Sequence, residues 1–281
     1  MRLHLHLISD STGETLDSMA KAGLAQFEGV DALKHYWPMV RAAGHLDRVL
    51  DEVARRPGLV LYTLVRGPMR DRLDERCRAM GITAIAALDP VIAGLAQSLG
   101  QTTISRPGRQ HLMDAAYFAR VAAIDYTMQH DDGAHHEDWE EADIVLAGVS
   151  RSSKTPTAIY LANRGYKTAN IPIVPVSPPP PALFGLVRPL VVGLTSHPER
   201  LIAIRRNRLL SIGQAPDTEY VDEEAVVAEI AYARRMFADN GWPVIDVTRR
   251  SIEETSAAII NLLQAREDAR EGQMAQAGEA A

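Results

Sequence analysis

Residues 143–161 read Asp-Ile-Val-Leu-Ala-Gly-Val-Ser-Arg-Ser-Ser-Lys-Thr-Pro-Thr-Ala-Ile-Tyr-Leu, and this stretch decides the fold. The apolar run 144–149 predicts a buried strand, and Pro156 followed by apolar residues predicts the first turn of a helix. The loop between them fits G-x-x-x-x-G-K-[ST] everywhere except at Ser153, where the second glycine usually stands. Strand, tight loop and helix in this order predict a phosphate-binding loop.

The chemistry of this loop follows from its backbone and two side chains. Consecutive N–H groups at a helix N-terminus attract a phosphate, Lys154 balances its charge, and Thr155 can hold Mg²⁺. Serine tolerates poorly the backbone angles that glycine allows, so Ser153 is a departure that matters. The alternative is a plain strand, turn and helix with serines that cap the helix. The residues expected to contact phosphate are Gly148, Val149, Ser150, Arg151, Ser152, Ser153, Lys154 and Thr155.

Outward from the loop, short apolar runs alternate with longer amphipathic stretches, which is typical of α/β proteins with mostly parallel sheets. The predicted strands are Leu3–Ile8, Leu59–Val65, Ile82–Leu88, Ile144–Val149, Ile171–Val176, Leu190–Leu194 and Val244–Val247. The predicted helices are Thr15–Gln26, Leu46–Ala54, Met69–Met80, Pro90–Leu99, His111–Thr127, Pro156–Asn163, Pro198–Leu210, Glu223–Asn240 and Ile252–Ala265.

Changes in composition divide the chain into four parts. We expect an N-terminal α/β region over residues 1–110 and a connecting helix with a polar linker over 111–142. A kinase-like region with the phosphate loop follows over 143–265. Residues 266–281 lose the periodic apolar face and are predicted to be a frayed tail.

Composition excludes several classes of protein. The chain has 281 residues, a formal net charge of −6 and one cysteine, Cys77. The acidic balance gives no general attraction to nucleic acid or to an anionic membrane. No apolar run approaches the roughly 20 residues that span a bilayer. A lone cysteine and polar residues in the N-terminal stretch favour the cytoplasm.

Transfer of a phosphoryl group to a hydroxyl gains from a carboxylate that accepts the proton. Asp246 ends a predicted strand, where ligands of open α/β sheets gather, or it only closes the following turn. His111 and Asp114 share a helix face, although a structural role is open for each. Asp131 and Asp132 are further candidates, and the histidines beside them suggest a metal site less well than a polar linker.

Two other segments contain groups that bind anions. Residues Ser9–Thr15 follow the first strand and precede a helix, so their N–H groups are candidates for a second anion site, or they only cap that helix. The helix after residue 197 is rich in arginine, whose guanidinium matches phosphoryl oxygens, although a solvated basic face explains it equally well. Its arginines are Arg200, Arg205, Arg206 and Arg208.

With these surroundings the chain resembles the pyruvate, phosphate dikinase regulatory protein family, whose sister branch regulates phosphoenolpyruvate synthase. The resemblance covers nearly the whole chain. It lies in residues 8–15, 111–120 with 131–133, 148–156, 165–170, 193–200 and 245–254. Residues 165–170 are expected to form a turn. Ser153 and the Asp-Ser-Thr-Gly-Glu run from Asp10 are closer to the dikinase branch.

The resemblance implies a bifunctional enzyme. It implies a kinase that moves the β-phosphoryl group of ADP onto a threonine of the dikinase, and a phosphorylase that uses inorganic phosphate to remove it as pyrophosphate. It implies that Gly148–Thr155 binds ADP, and Lys154, Asp246, Asp114 and His111 are the catalytic candidates, with Mg²⁺ as an expected cofactor. The same chemistry on the synthase, a small-molecule kinase and a non-catalytic nucleotide sensor stay open, as does a homodimer.

Overall fold

The computed structural model describes residues 2–103, 115–215 and 218–279. The chain divides into two compact units, Met1–Leu112 and Met113–Ala281, and each has one sheet. All strand pairs in both sheets are parallel. The α/β fold with mostly parallel sheets is therefore confirmed.

The N-terminal unit alternates strands and helices. Its sheet has the order β2-β1-β3-β4, with β1 central and β2 at one edge. Helices cover both faces, because side chains of α1 pack on one apolar cluster and those of α2 and α3 pack on another. The elements are β1 (Arg2–Ile8), α1 (Glu14–Leu24), β2 (Asp31–Trp37), α2 (Ala43–Arg55), β3 (Leu59–Tyr62), α3 (Pro68–Ala79), β4 (Ala84–Ala86) and α4 (Asp89–Leu99).

The C-terminal unit repeats this arrangement, with the order β6-β5-β7-β8. Its core lies on both faces of the sheet: α7 and α8 pack on one face, and α6 and α9 on the other. The elements are α5 (Ala115–Gln129), β5 (Ile144–Gly148), α6 (Lys154–Asn163), β6 (Thr168–Pro172), β7 (Leu190–Thr195), α7 (Pro198–Ser211), α8 (Glu223–Asp239), β8 (Val244–Asp246) and α9 (Ile252–Glu279).

Strand β5 is buried along its whole length and positions the phosphate loop. It pairs with β6 on one side and β7 on the other, from Ile144 opposite Leu190 to Gly148 opposite Leu194. The sheet order reverses at β5, so the crevice beyond its carboxyl end is where open α/β sheets bind ligands. The loop after Gly148 begins at this point.

Strand β2 is absent from the predicted set. Its sequence, Asp-Ala-Leu-Lys-His-Tyr-Trp, has no fully buried residue because the strand pairs only with β1 at the sheet edge. Strand β6 begins at Thr168, so the predicted start at Ile171 is late and part of the expected 165–170 turn is strand. The buried polar residues Thr168 and Asn170 conceal this strand in the sequence.

Two boundaries in the C-terminal unit also differ from prediction. Helix α9 continues to Glu279, so the expected frayed tail is wrong for residues 266–279. Good helix formers fill this stretch, and Arg266 and Arg270 donate hydrogen bonds to the carbonyl oxygen of Val187. The expected polar linker around 130–141 belongs to this unit, because Trp139 is fully buried in its core.

Among the residues that the structure describes, none of the helices combines the length and apolar character needed to cross a membrane.

Candidate functional site

The phosphate loop connects β5 to α6 and packs tightly on the neighbouring strand. A Cβ atom at Gly148 would lie 2.6 Å from Ser152 Oγ and 2.7 Å from the carbonyl oxygen of Leu194. Both distances are shorter than van der Waals contact, so the turn out of β5 requires glycine. Ser152 is fully buried, and its hydroxyl donates a 2.9 Å hydrogen bond to the carbonyl oxygen of Val149.

The loop backbone is strained at two positions. Arg151 has φ 69° and Ser153 has φ 65°, both in the left-handed region that favours glycine. Ser153 occupies the residue just before α6, where the sequence pattern expects glycine. The serine therefore adopts the backbone conformation that a glycine would supply.

Lys154 is the first residue of α6, and its side chain is only 5% exposed. Its Nζ atom donates a 3.1 Å hydrogen bond to the carbonyl oxygen of Val149. Burial lowers the pKa of Lys154 to about 8, while the nearby carboxylates of Asp132 and Asp131 favour its charged form. A buried ammonium with one carbonyl partner is well suited to receive an anion.

A cavity of about 300 Å³ opens in front of this lysine. It is lined by Asp132, Ser150, Arg151, Ser153, Lys154, Thr155, Pro156, Pro172 and Ile204. The structure thus brings five of the predicted loop residues to one cavity. The other three, Gly148, Val149 and Ser152, do not line it and support the loop from behind, and Val149 and Ser152 are almost completely buried.

An acidic segment between α5 and β5, which contains Asp131 and Asp132, reaches the same cavity through Asp132. Thr155 Oγ1 donates a 2.9 Å hydrogen bond to Asp131 Oδ1, and the side-chain amide of Asn170 donates to the same oxygen. The backbone N–H of Asp132 donates to Asn170 Oδ1 at 3.3 Å. Asn170 therefore fixes both aspartates, although it is not among the site residues predicted from the sequence. A polar residue within a buried strand was the available signal.

Among the residues that the structure describes, Asp132 is the one carboxylate that lines the cavity. Its backbone has φ 51° and ψ 35°, and its side chain makes no hydrogen bond or ion pair within the described ranges. Strained residues held by their surroundings concentrate at functional sites. This geometry presents an available proton acceptor beside the phosphate loop.

Asp246, another proposed catalytic residue, does not line the cavity. Asp246 ends β8 outside the cavity lining, and its Oδ1 accepts hydrogen bonds from the N–H and hydroxyl of Thr248. The Thr248 hydroxyl oxygen also accepts the N–H of His197 at 2.8 Å, so these contacts join the turns after β7 and β8. His111 and Asp114 lie outside the described residues.

The arginines of α7 do not form one phosphate-binding cluster. Arg200, Arg206 and Arg208 are exposed, whereas Arg205 is 1% exposed and forms a two-bond ion pair with Glu229. The expectation that Arg205 supplies charge to a phosphate is wrong, because its donors are already used inside the protein. Phosphate binding by Arg200, Arg206 and Arg208 stays a prediction.

The segment after β1 uses its polar groups internally. The hydroxyl oxygen of Ser9 accepts hydrogen bonds from the N–H of Ser11 at 3.0 Å and from Thr63 Oγ1 at 2.9 Å. The carboxylate of Asp10 accepts the N–H of Val65 at 2.9 Å. These bonds join the ends of β1 and β3, and an anion site at Ser9–Thr15 stays a prediction.

The histidines near the acidic segment differ in how deeply they are buried. His130 is buried and stacks on Tyr126, while His135 and His136 are more than half exposed. Within residues 2–103, 115–215 and 218–279, no group of three or more His, Cys, Asp or Glu side chains is arranged to hold a metal ion.

Comparison with known proteins places the chain in a family. The profile of the kinase/pyrophosphorylase family matches residues 5–260. A protein of Rhizorhabdus wittichii, named putative pyruvate, phosphate dikinase regulatory protein, is 68% identical over 266 residues, which are 95% of this chain and 97% of the relative. A protein of the same name from Novosphingobium aromaticivorans is 69% identical over 265 residues, covering 94% of this chain and 95% of the relative. The chain therefore belongs to the kinase/pyrophosphorylase family.

Proposed function

We propose that the chain phosphorylates a threonine of pyruvate, phosphate dikinase with ADP and removes the phosphoryl group by phosphorolysis. In the first reaction the threonine oxygen attacks the β-phosphorus of ADP and AMP leaves. In the second, inorganic phosphate attacks the phosphothreonine phosphorus, the bond to the threonine oxygen breaks, and pyrophosphate is released together with the free threonine. Both reactions use a phosphate site next to a proton carrier. The observation that carries the proposal is the cavity that Lys154 and Asp132 both line.

Lys154 and the loop supply the phosphate site. The ammonium group is buried, so an anion that replaces its bond to Val149 gains a charge-assisted hydrogen bond in a poorly solvated place. The N-terminus of α6 adds unpaired N–H groups and the positive end of the helix dipole. Charge that develops on the transferred phosphoryl group is stabilised by the same groups.

Asp132 is the proposed catalytic base. A threonine hydroxyl must lose its proton as its oxygen attacks phosphorus, and a carboxylate at the cavity wall accepts that proton. In phosphorolysis the same carboxylic acid returns the proton to the threonine oxygen as the phosphorus–oxygen bond breaks. Asp131 is less suited, because one of its oxygens already accepts two hydrogen bonds.

The residues beside the cavity fit Mg²⁺. The hydroxyl of Thr155 and the carboxylate of Asp131 are oxygen ligands of the kind this ion prefers, and they lie 2.9 Å apart. A Mg²⁺ ion held there supplies positive charge to phosphate oxygens when a nucleotide is bound. Few protein ligands are expected, because Mg²⁺ keeps several waters and shares substrate phosphates.

The relatives' names support the dikinase as target, because the proteins from Rhizorhabdus wittichii and Novosphingobium aromaticivorans are named as its regulators. Family membership alone leaves the synthase open. Incubating the protein with ADP and each candidate target separates them. Phosphothreonine on the dikinase, detected by mass spectrometry, is the expected result. Phosphorylation of the synthase alone, or of a small molecule alone, would refute the assignment.

A further inference from the structure

Arg205 is buried, and its hydrogen bonds are made to groups of the protein itself. Its Nη1 and Nη2 atoms donate to the two carboxylate oxygens of Glu229 at 2.8 and 2.9 Å. Nη1 also donates to the carbonyl oxygen of Tyr220 at 3.1 Å. Nη2 and Nε donate to the carbonyl oxygen of Ser150 at 3.1 and 3.4 Å. A guanidinium has five N–H donors, and these five bonds occupy all of them.

Tyr220 reaches the same point of the phosphate loop. The Arg205 guanidinium lies over its ring, 4.5 Å from the centroid, and its hydroxyl lies 2.9 Å from Ser150 Oγ. We call Arg205, Glu229 and Tyr220 the loop clamp. The clamp therefore holds both the carbonyl group and the side chain of Ser150.

The clamp binds the loop directly beside one of its two strained residues. Ser150 directly precedes Arg151, the first of the two loop residues with positive φ. In a trans peptide the C=O and the next N–H point in opposite directions. Fixing the carbonyl of Ser150 therefore fixes the direction of the Arg151 N–H. Strained backbone of this kind persists only where surrounding contacts hold it.

We propose that Arg205 is a positioning residue that, with Glu229 and Tyr220, holds the phosphate loop in its binding conformation. This inference rests on the proposed function, in which the loop binds ADP, phosphate and pyrophosphate. Arg205 touches none of them, because it has no free donor. Weakening the clamp lowers the fraction of loops that are competent, and the affinity for every loop ligand falls by that one factor.

Two variants weaken the clamp without emptying its space. Tyr220→Phe keeps the ring under the guanidinium and removes only the bond to Ser150. Arg205→Lys keeps a positive charge beside Glu229 but loses the planar fork. The matched controls are Tyr232→Phe, which also packs against this core, and Arg235→Lys on the exposed side of α8.

The first measurement needs no nucleotide. Hydrogen exchange of the amides of residues 150–153 is compared in the full-length wild type, clamp variants and controls. We expect about three- to tenfold faster exchange of these amides in Tyr220→Phe, as follows from loss of one hydrogen bond, with α8 and β7 unchanged. Unchanged exchange in this variant overturns the positioning role, even if Arg205→Lys does not fold.

The second measurement is calorimetric affinity for ADP and for pyrophosphate. A positioning role predicts that both dissociation constants rise by the same factor, about three- to tenfold in Tyr220→Phe and no change in Tyr232→Phe. A role limited to stability lowers the melting temperature without changing either affinity, and weakening of ADP alone indicates direct contact with the nucleoside. Either result overturns the inference. If wild type binds neither ligand, the proposed function is wrong, while faster loop exchange still supports the clamp.

Discussion

The Oγ1 hydroxyl of Thr155 donates a 2.9 Å hydrogen bond to the carboxylate of Asp131, although the two residues are 24 positions apart. The bond joins the phosphate loop to the segment that carries Asp132. It also places the two proposed Mg²⁺ ligands side by side. Substitution of Asp131 is therefore expected to change the dependence on Mg²⁺, and substitution of Asp132 is expected to change proton transfer.

Asp131→Asn should weaken ADP binding mainly when Mg²⁺ is present. The variant keeps the shape of the side chain but removes a charged ligand, and loss of such an interaction costs about tenfold in affinity. Calorimetry with Mg²⁺ and with a chelator measures the difference. Asp125→Asn, on the exposed face of α5, is the matched control. An equal loss with and without Mg²⁺ would show that Asp131 supports the loop and not the ion.

Ser153→Gly should stabilise the protein and leave ADP affinity within about tenfold of wild type. Residue 153 has φ 65°, and glycine adopts this conformation without the strain of about 1 kcal/mol that serine carries. The free energy of unfolding from urea denaturation measures the gain. Ser152→Gly is the contrasting variant, because it removes a buried hydroxyl from an ordinary backbone position and should destabilise. Complete loss of ADP binding in Ser153→Gly would mean that the serine hydroxyl is a ligand.

ADP affinity should fall as the pH rises through about 8. Burial lowers the pKa of Lys154 to about 8, so the free protein loses the ammonium charge above that pH. Binding of an anion then requires uptake of one proton, which reduces affinity by up to about tenfold per pH unit. Lys154→Arg, which keeps its charge, should flatten this dependence. A wild-type affinity for ADP that stays constant between neutral and mildly alkaline pH would contradict this role of the Lys154 charge.

The N-terminal unit should lose stability in mild acid because of stacked histidines on β1 and β2. His6 Nε2 lies 2.9 Å from the carbonyl oxygen of Arg56 and must donate, so His6 Nδ1 is the acceptor for Trp37 Nε1. His4 and His35 share one hydrogen bond of 2.9 Å, and the three rings stack. Burial lowers the pKa of both His6 and His35 from the ordinary value of 6.5.

The lowered pKa values of His6 and His35 make the folded N-terminal unit less stable in acid. Below pH 6.5 the unfolded chain binds more protons than the folded one, so the free energy of unfolding decreases as the pH falls. Hydrogen exchange of β1 and β2, which reports this unit alone, measures the change. His35→Gln should reduce the pH dependence, and His45→Gln on α2 should not. An equal pH dependence in wild type and His35→Gln would contradict this account.

Much of the fold was predictable because its signals are local. The apolar run before Gly148 and the proline after Lys154 mark a buried strand and a helix start within a few residues. The edge strand β2 was not predictable from apolar periodicity, because pairing on one side leaves its side chains partly exposed. Local patterns therefore identified the elements around the loop and not the partly exposed edge strand β2.

The site was predictable only as far as the loop itself. The loop residues are consecutive, so their pattern is visible in the sequence. Asn170 and Glu229 act through contacts 39 and 24 positions away, and no local pattern encodes such distances. Arg205 shows the same limit, since a free arginine and one fully bonded in a core have the same neighbours in sequence.

One cavity is proposed to serve both reactions, and tracing a labelled phosphoryl group tests this most directly. ADP radiolabelled in its β-phosphoryl group is incubated with wild-type protein and the dikinase, and unlabelled inorganic phosphate is then added. We predict that label appears on a threonine and then moves into pyrophosphate, and that Lys154→Ala loses both steps. Transfer or release of label by Lys154→Ala at the wild-type rate in either step would contradict a single site.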